Sequence, residues 1–341
     1  MDPDNEVEAD HMPFFRIYKS GRTERFEVIE SCPPSVDAAT GVSSKDTAIL
    51  DQESKGLSAR LYIPTSVLAE HSSSQSQQRR RLPVLVYYHG GAFCCGSAFA
   101  KDIHTYLNTL VAEANIVAVS VNYRLAPEHP IPAAYEDSWL ALQWVLSHAS
   151  ATAESGAADG WIRDHADFEH VFLGGESAGA NIAHHMAMRA GTTTAATVEH
   201  GVRVEGLVLF QPYFLQAEPT ESDSIDTGMS SGLKSLWKIA CPSSTDLDDD
   251  HRINPTADGA PSLSVLGCER VLVCVAERDT LRDRGRAYYE RLRGCGWRGE
   301  AELYESQGEG HVFQVIKPTC DEARALTRKV GCFLNLADQT I

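Results

Sequence analysis

Apolar positions along the chain follow two alternating rhythms. Short β-rich runs at Val84–Tyr88, Ile116–Val121, Val171–Leu173, Leu207–Phe210, Val271–Val275 and Glu302–Tyr304 predict strands. Between and after them, Ile103–Glu113, Ala134–Ser147, Ala180–Ala190, Arg282–Arg293 and Asp321–Leu336 space their apolar residues as helices do. Such alternation implies βαβ crossovers and a mostly parallel sheet covered on both faces, with ligand sites at the carboxyl ends of its strands. Ahead of it, Thr47–Leu50 and Leu57–Ile63, parted by polar Gln52-Glu53-Ser54-Lys55-Gly56, predict an antiparallel pair at a sheet edge. Ser66–Arg81 reads as a surface loop. Two stretches break the pattern. Residues 1–45 are polar and irregular around one apolar patch, Pro13-Phe14-Phe15, while Thr220–Asp250 mixes Ser, Asp and Gly with an apolar patch at Leu233–Ile239. The expectation is a single α/β domain over residues 1–341, to which residues 1–45 and about 213–250 contribute a lid.

Composition narrows the partners. With 43% hydrophobic and 23% charged residues, the 341-residue chain can bury a sizeable core. Its 30 Lys and Arg against 47 Asp and Glu leave a net charge of −17, which repels a phosphate backbone, so nucleic acid is not an expected partner. Arg79-Arg80-Arg81 is too short to reverse that balance. No apolar run approaches the ~18 residues of a membrane span. The acidic start Met1-Asp2-Pro3-Asp4 is unlike a secretory signal, and Asn254-Pro255-Thr256 carries the proline that excludes glycosylation; a cytoplasmic address is expected. Nine scattered cysteines without a C-x-x-C pair read as free thiols, and no metal or other cofactor is expected.

The most informative string is Gly175-Glu176-Ser177-Ala178-Gly179, a Gly-x-Ser-x-Gly between a strand and a helix, as a nucleophile elbow requires. The sharp turn leaves room only for glycine at Gly175 and Gly179 and exposes the Ser177 hydroxyl at the sheet's rim, under the positive end of the following helix. A hydroxyl is a weak nucleophile at neutral pH, so it needs a general base, and the base needs a group to orient it. Asp279, just past a strand, and His311, in the loop after the next, follow in the order Ser, acid, His; Glu277 is a weaker alternative acid. Each also fits a plainer role, Asp279 as a helix N-cap and His311 at a helix start. His89-Gly90-Gly91, after the strand at Val84–Tyr88, can turn the N–H groups of Gly90 and Gly91 toward one point together with that of Ala178, forming an oxyanion hole. Three other strings carry less. Gly294-Cys295-Gly296-Trp297-Arg298-Gly299 matches a dinucleotide fingerprint but follows a helix and precedes a strand, the reverse of what that site needs; His184-His185 lacks zinc-helix spacing; Asp246–Asp250 lacks the glycine of a calcium loop.

Taken in order, these strings resemble the plant carboxylesterases of the hormone-sensitive-lipase branch of α/β-hydrolases. The likeness runs from Pro13-Phe14-Phe15-Arg16-Ile17-Tyr18 through His89-Gly90-Gly91, Asn122-Tyr123-Arg124-Leu125-Ala126-Pro127-Glu128 and the elbow to Glu277-Arg278-Asp279 and Gly308-Glu309-Gly310-His311. The resemblance implies an α/β-hydrolase fold, a triad of Ser177, Asp279 and His311, an oxyanion hole from Gly90, Gly91 and Ala178, and a lid built partly by the amino-terminal segment. It also implies an ion pair between Arg124 and Glu128 behind the site. Ala92 departs from the third glycine of many relatives, which could narrow the acyl pocket. The expected reaction is hydrolysis of small or medium acyl esters through an acyl-enzyme, with a small-molecule ester as the partner. The same family holds 2-hydroxyisoflavanone dehydratases and tuliposide-converting transesterases, which stay open as alternatives, and gibberellin receptors, which have lost the histidine that this chain keeps at His311.

Overall fold

The computed structural model describes residues 2–26, 29–49, 56–70, 81–152, 158–192 and 203–335. Expectations that fell on Leu50, Gln52–Lys55, most of Ser66–Arg81, Leu336 and the last residues lie outside the described residues. A nine-stranded sheet forms the centre. Its strands are β4 (Val36–Asp37), β5 (Val42–Ala48), β6 (Ser58–Pro64), β7 (Leu82–Tyr88), β8 (Val117–Asn122), β9 (Ala166–Glu176), β10 (Val204–Phe210), β11 (Arg270–Ala276) and β12 (Glu300–Ser306), which follow β1–β3, described below. They lie in the order β12-β11-β10-β9-β7-β8-β6-β5-β4. The run from β12 to β8 is parallel, as predicted, and the β8-β6-β5-β4 end is antiparallel; the expected pair is β5 with β6, but β4 and the start of β5 fall within residues 1–45, which were expected to be irregular.

Alternation along each strand divides the core. Val84, Val86 and Tyr88 of β7 face one apolar layer, Leu85 and Tyr87 the other. The first layer takes in α3 (Ala133–Ser147), α5 (Ala178–Thr192) and α7 (Arg282–Gly294); the second takes in α2 (Lys101–Ala114), α8 (Phe313–Ile316) and α9 (Asp321–Leu334). A sheet buried on both faces needs such apolar strands, and this is why β7, β9, β10 and β11 stood out in the sequence. Two short helices sit outside this pattern: α1 (Thr65–Glu70), which corrects the expected loop over Ser66–Glu70, and α4 (Gly160–His165). α7 ends at Gly294 and residues 295–299 lead into β12, in agreement with the placement of that glycine string after a helix and before a strand.

The amino-terminal segment is not irregular. It forms a separate three-stranded antiparallel sheet, β1 (Val7–His11), β2 (Phe15–Tyr18) and β3 (Thr23–Arg25), whose short strands bury one large apolar side chain completely, Phe15. Arg25 fastens this ribbon to the body: its guanidinium donates to the carbonyls of Cys94 and Ala126, both at 2.7 Å, and pairs with Glu128. That contact corrects the expected Arg124–Glu128 pair. Arg124 instead makes a two-pronged bond to the buried Asp137, at 2.8 Å on each prong, because α3 brings that carboxylate closer. Thr220–Asp250 leaves the sheet as predicted, building α6 (Thr227–Ala240) above it, with Leu233 and Trp237 turned inward.

Candidate active site

The turn after β9 carries Ser177 in the left-handed region, φ +54°, a conformation that is costly for a residue with a Cβ. Its neighbours must therefore be glycines. A Cβ on Gly175 would stand 2.3 Å from the Tyr88 carbonyl oxygen, and one on Gly179 would stand 1.8 Å from it. Hydrogen bonds from the Ser177 amide to the Phe210 carbonyl (2.9 Å) and from the Tyr213 amide to the Ser177 carbonyl (3.0 Å) hold the turn. Asn181, one helical turn on, binds the Tyr213 and Arg252 carbonyls and the Tyr135 hydroxyl, so α5 also braces the start of the insertion.

Three strand ends bring together the side chains singled out in the sequence. His311, in the loop after β12, sits with Nε2 3.0 Å from Ser177 Oγ and Nδ1 2.9 Å from Asp279 Oδ2. Asp279, 1% exposed after β11, accepts the Leu281 amide on its other oxygen. An imidazole that donates from Nδ1 to a carboxylate is left with a lone pair on Nε2 facing the hydroxyl. Burial opposes a charge on His311, but the charge and hydrogen bond of Asp279, with a smaller contribution from Glu176, raise its pKa above the ordinary histidine value. Glu277 turns elsewhere and accepts the Gly308 amide at 2.6 Å, which ties down the histidine loop.

The glycine loop departs from expectation at one position. The Gly90 amide donates to Glu176 Oε1 at 2.6 Å, so its hydrogen is committed and does not face the space over Ser177. Gly91, Ala92 and Phe93 follow with φ of +105°, +50° and +63°, and among the described residues the amides of Gly91 and Ala92 have no protein acceptor. Sequence reasoning passed over Glu176, the second half of that bond. The signal was a carboxyl within an otherwise apolar strand end: a charge there must find donors on the neighbouring chain. It is 4% exposed, takes a second hydrogen bond from the Tyr87 hydroxyl, and is pushed by burial up to about 7 although both bonds favour the anion.

Around the site Phe93 packs against Tyr135, Tyr213 and Trp237, all fully or nearly buried, whereas Phe14 lies partly exposed on the amino-terminal ribbon. All nine cysteines are free, and among the described residues no cluster of His, Cys, Asp and Glu has the arrangement of a metal site. His184 and His185 are spoken for by the Tyr288 hydroxyl and the Arg252 carbonyl. No described helix is long and apolar enough to cross a membrane.

The chain thus sets a strained serine elbow after β9, an acid after β11 and a histidine after β12 at the rim of a doubly covered sheet, and the α/β-hydrolase model matches residues 85–315. The chain belongs to the α/β-hydrolases. It is 41% identical over 330 residues to probable carboxylesterase 2 of Arabidopsis thaliana, covering 97% of each chain. It is also 41% identical to a 2-hydroxyisoflavanone dehydratase of Glycyrrhiza echinata, covering 96% of each. Among solved structures it resembles a hyperthermophilic esterase of the archaeon Pyrobaculum calidifontis, with a TM-score of 0.66 and 28% identity over 86% of both chains.

Proposed function

We propose that the protein is a serine carboxylesterase acting on small or medium acyl esters. The observation that carries this reading is the unbroken hydrogen-bonded series from Ser177 Oγ through His311 to the buried Asp279. In this reading His311 Nε2 takes the hydroxyl proton as Ser177 Oγ bonds to the ester carbonyl carbon, and Asp279 stabilises the resulting imidazolium. The oxyanion falls among the amides of Gly91, Ala92 and Ala178, with Ala92 in the place first given to Gly90. His311 then hands its proton to the departing alcohol, and water attacks the acyl-enzyme by the same route in reverse. Support for a short acyl group comes from the wall behind the loop, which Phe93, Tyr213 and Trp237 already fill. A cytoplasmic address stays part of this proposal.

Ser177→Ala should abolish turnover of p-nitrophenyl acetate and covalent labelling by a fluorophosphonate while leaving the fold intact by circular dichroism. Turnover at the wild-type rate in that variant would refute Ser177 as the nucleophile. The dehydratase relative favours one second reading, in which His311 acts as the base for β-elimination of water. Assaying a 2-hydroxyisoflavanone beside a panel of acyl esters separates the two, since faster loss of water than hydrolysis of any ester would make the chain a lyase.

A further inference from the structure

The proposed reaction leaves one buried acid beside the nucleophile without a task. We propose that Glu176 is a positioning residue, whose carboxylate ties the loop carrying Gly91 and Ala92 to the strand carrying Ser177. The inference rests on the esterase reading above.

Three observations lead to it. First, the loop is strained. Gly91, Ala92 and Phe93 are three consecutive residues at positive φ, and two of them carry a Cβ, so the loop's own bonds from the Cys94 and Cys95 amides to the Gly91 carbonyl need support from outside it. Second, Glu176 supplies the contact at the loop's entrance. Its two oxygens take one donor each, the Gly90 amide from the loop and the Tyr87 hydroxyl from β7, and a Cβ on Gly90 would already lie 3.0 Å from the Glu176 carbonyl oxygen. A charge-assisted bond at such close approach fixes the loop more firmly than a neutral one would. Third, the contact sits one residue from each half of the machinery. Gly90 precedes Gly91, and Glu176 precedes Ser177, so this bond joins oxyanion donors and nucleophile directly, while the Tyr123 hydroxyl holds the His89 and Gly90 carbonyls from the other side.

The charge of Glu176 matters as well as its reach. Tyr87 on β7, Tyr123 after β8, Asp102 and Tyr106 on α2, and His311 are the titratable groups that feel it, and it is part of what raises His311. Protonating Glu176 converts the bond to Gly90 from charge-assisted to neutral and removes a negative charge that favours the imidazolium.

Glu176→Gln keeps the size, leaves an oxygen for Gly90 and removes the charge. Its kcat for p-nitrophenyl acetate should fall about tenfold to a hundredfold, as expected when oxyanion donors are slightly misplaced, with KM little changed. Fluorophosphonate labelling of Ser177 should slow in parallel, and the acid limb of kcat/KM should lose one of its two ionisations. Tyr87→Phe, which keeps the carboxyl and deletes one donor to it, should instead move the acid limb to higher pH. A Glu176→Gln variant with wild-type kcat, labelling rate and pH profile would overturn the assignment. Should the wild type be labelled at Ser177 yet hydrolyse no ester, the esterase reading falls, and the labelling rates of the two variants still decide the role of Glu176.

Discussion

Glu176 and His311 each hold a proton more tightly folded than free, and the sign of the effect on stability is the same for both. A carboxyl raised from 4.5 to about 7 by burial binds more protons in the native state, so stability falls as pH rises through that window, by an amount on the order of 3 kcal/mol. The raised pKa of His311 contributes stability that is complete below 6.5 and lost as pH rises past its folded value. Urea unfolding of Glu176→Gln at pH 5 and pH 8 should therefore show a flatter pH dependence than the wild type and a gain in stability at the higher pH. An unchanged slope would mean that the native carboxyl titrates normally. At this scale the sequence was legible where chemistry demands a rare residue. Gly175 and Gly179 could be nothing else, and Ser177, Asp279 and His311 stood in the required order at strand ends. Gly90 was misread for a local reason: adjacent glycines offer equivalent amides in the sequence, and only the carboxyl across the gap distinguishes them.

Among the elements, the insertion is fastened to the acid's loop by buried polar bonds. Asp223, in the turn before α6, pairs at 2.7 Å with Arg284 of α7, which is 3% exposed. Arg284 and Ser222 both donate to the carbonyl of Thr280, next in sequence to Asp279. Arg284→Leu would leave the Asp223 carboxylate without its cation, held only by Ser230 and Thr220, and should cost about 1–3 kcal/mol in chemical denaturation, whereas replacing both partners with apolar residues should cost less. Equal losses in the single and double variants would show that packing, not pairing, holds the insertion. None of this pairing was legible, because Asp and Arg are ordinary surface residues until the fold buries them. The β1–β3 ribbon escaped for the opposite reason: its strands are short, polar and bury little, so no periodicity marks them. Of the main sheet, β6–β11 were legible as apolar runs, whereas β4 and most of β5, polar and within residues 1–45, were not.

Across the molecule, the three side chains proposed to react ride on strands of unequal security. β9, which leads into Ser177, lies inside the sheet between β10 and β7, while β12, which leads to His311, is the last strand and, among the described residues, pairs only with β11. Edge elements open with smaller free energies than central ones. In a urea titration, hydrolysis should be lost at lower denaturant than the far-UV signal of the sheet. Coincidence of the two curves would place the histidine loop in the same cooperative unit as the centre. The domain plan itself was readable, since a parallel sheet with crossovers can be inferred from rhythm alone, but which strand would end at the margin depends on pairings between distant segments.

The spacing of the triad has a bearing on how the chain is made. His311 lies 134 positions beyond Ser177, on the far margin of the sheet. During synthesis from the amino terminus, the serine thus emerges well before the histidine proposed as its base. On the proposed mechanism, a nascent or prematurely terminated product that ends before His311 carries a mute hydroxyl, and hydrolysis begins only once the segment after β12 has joined the fold.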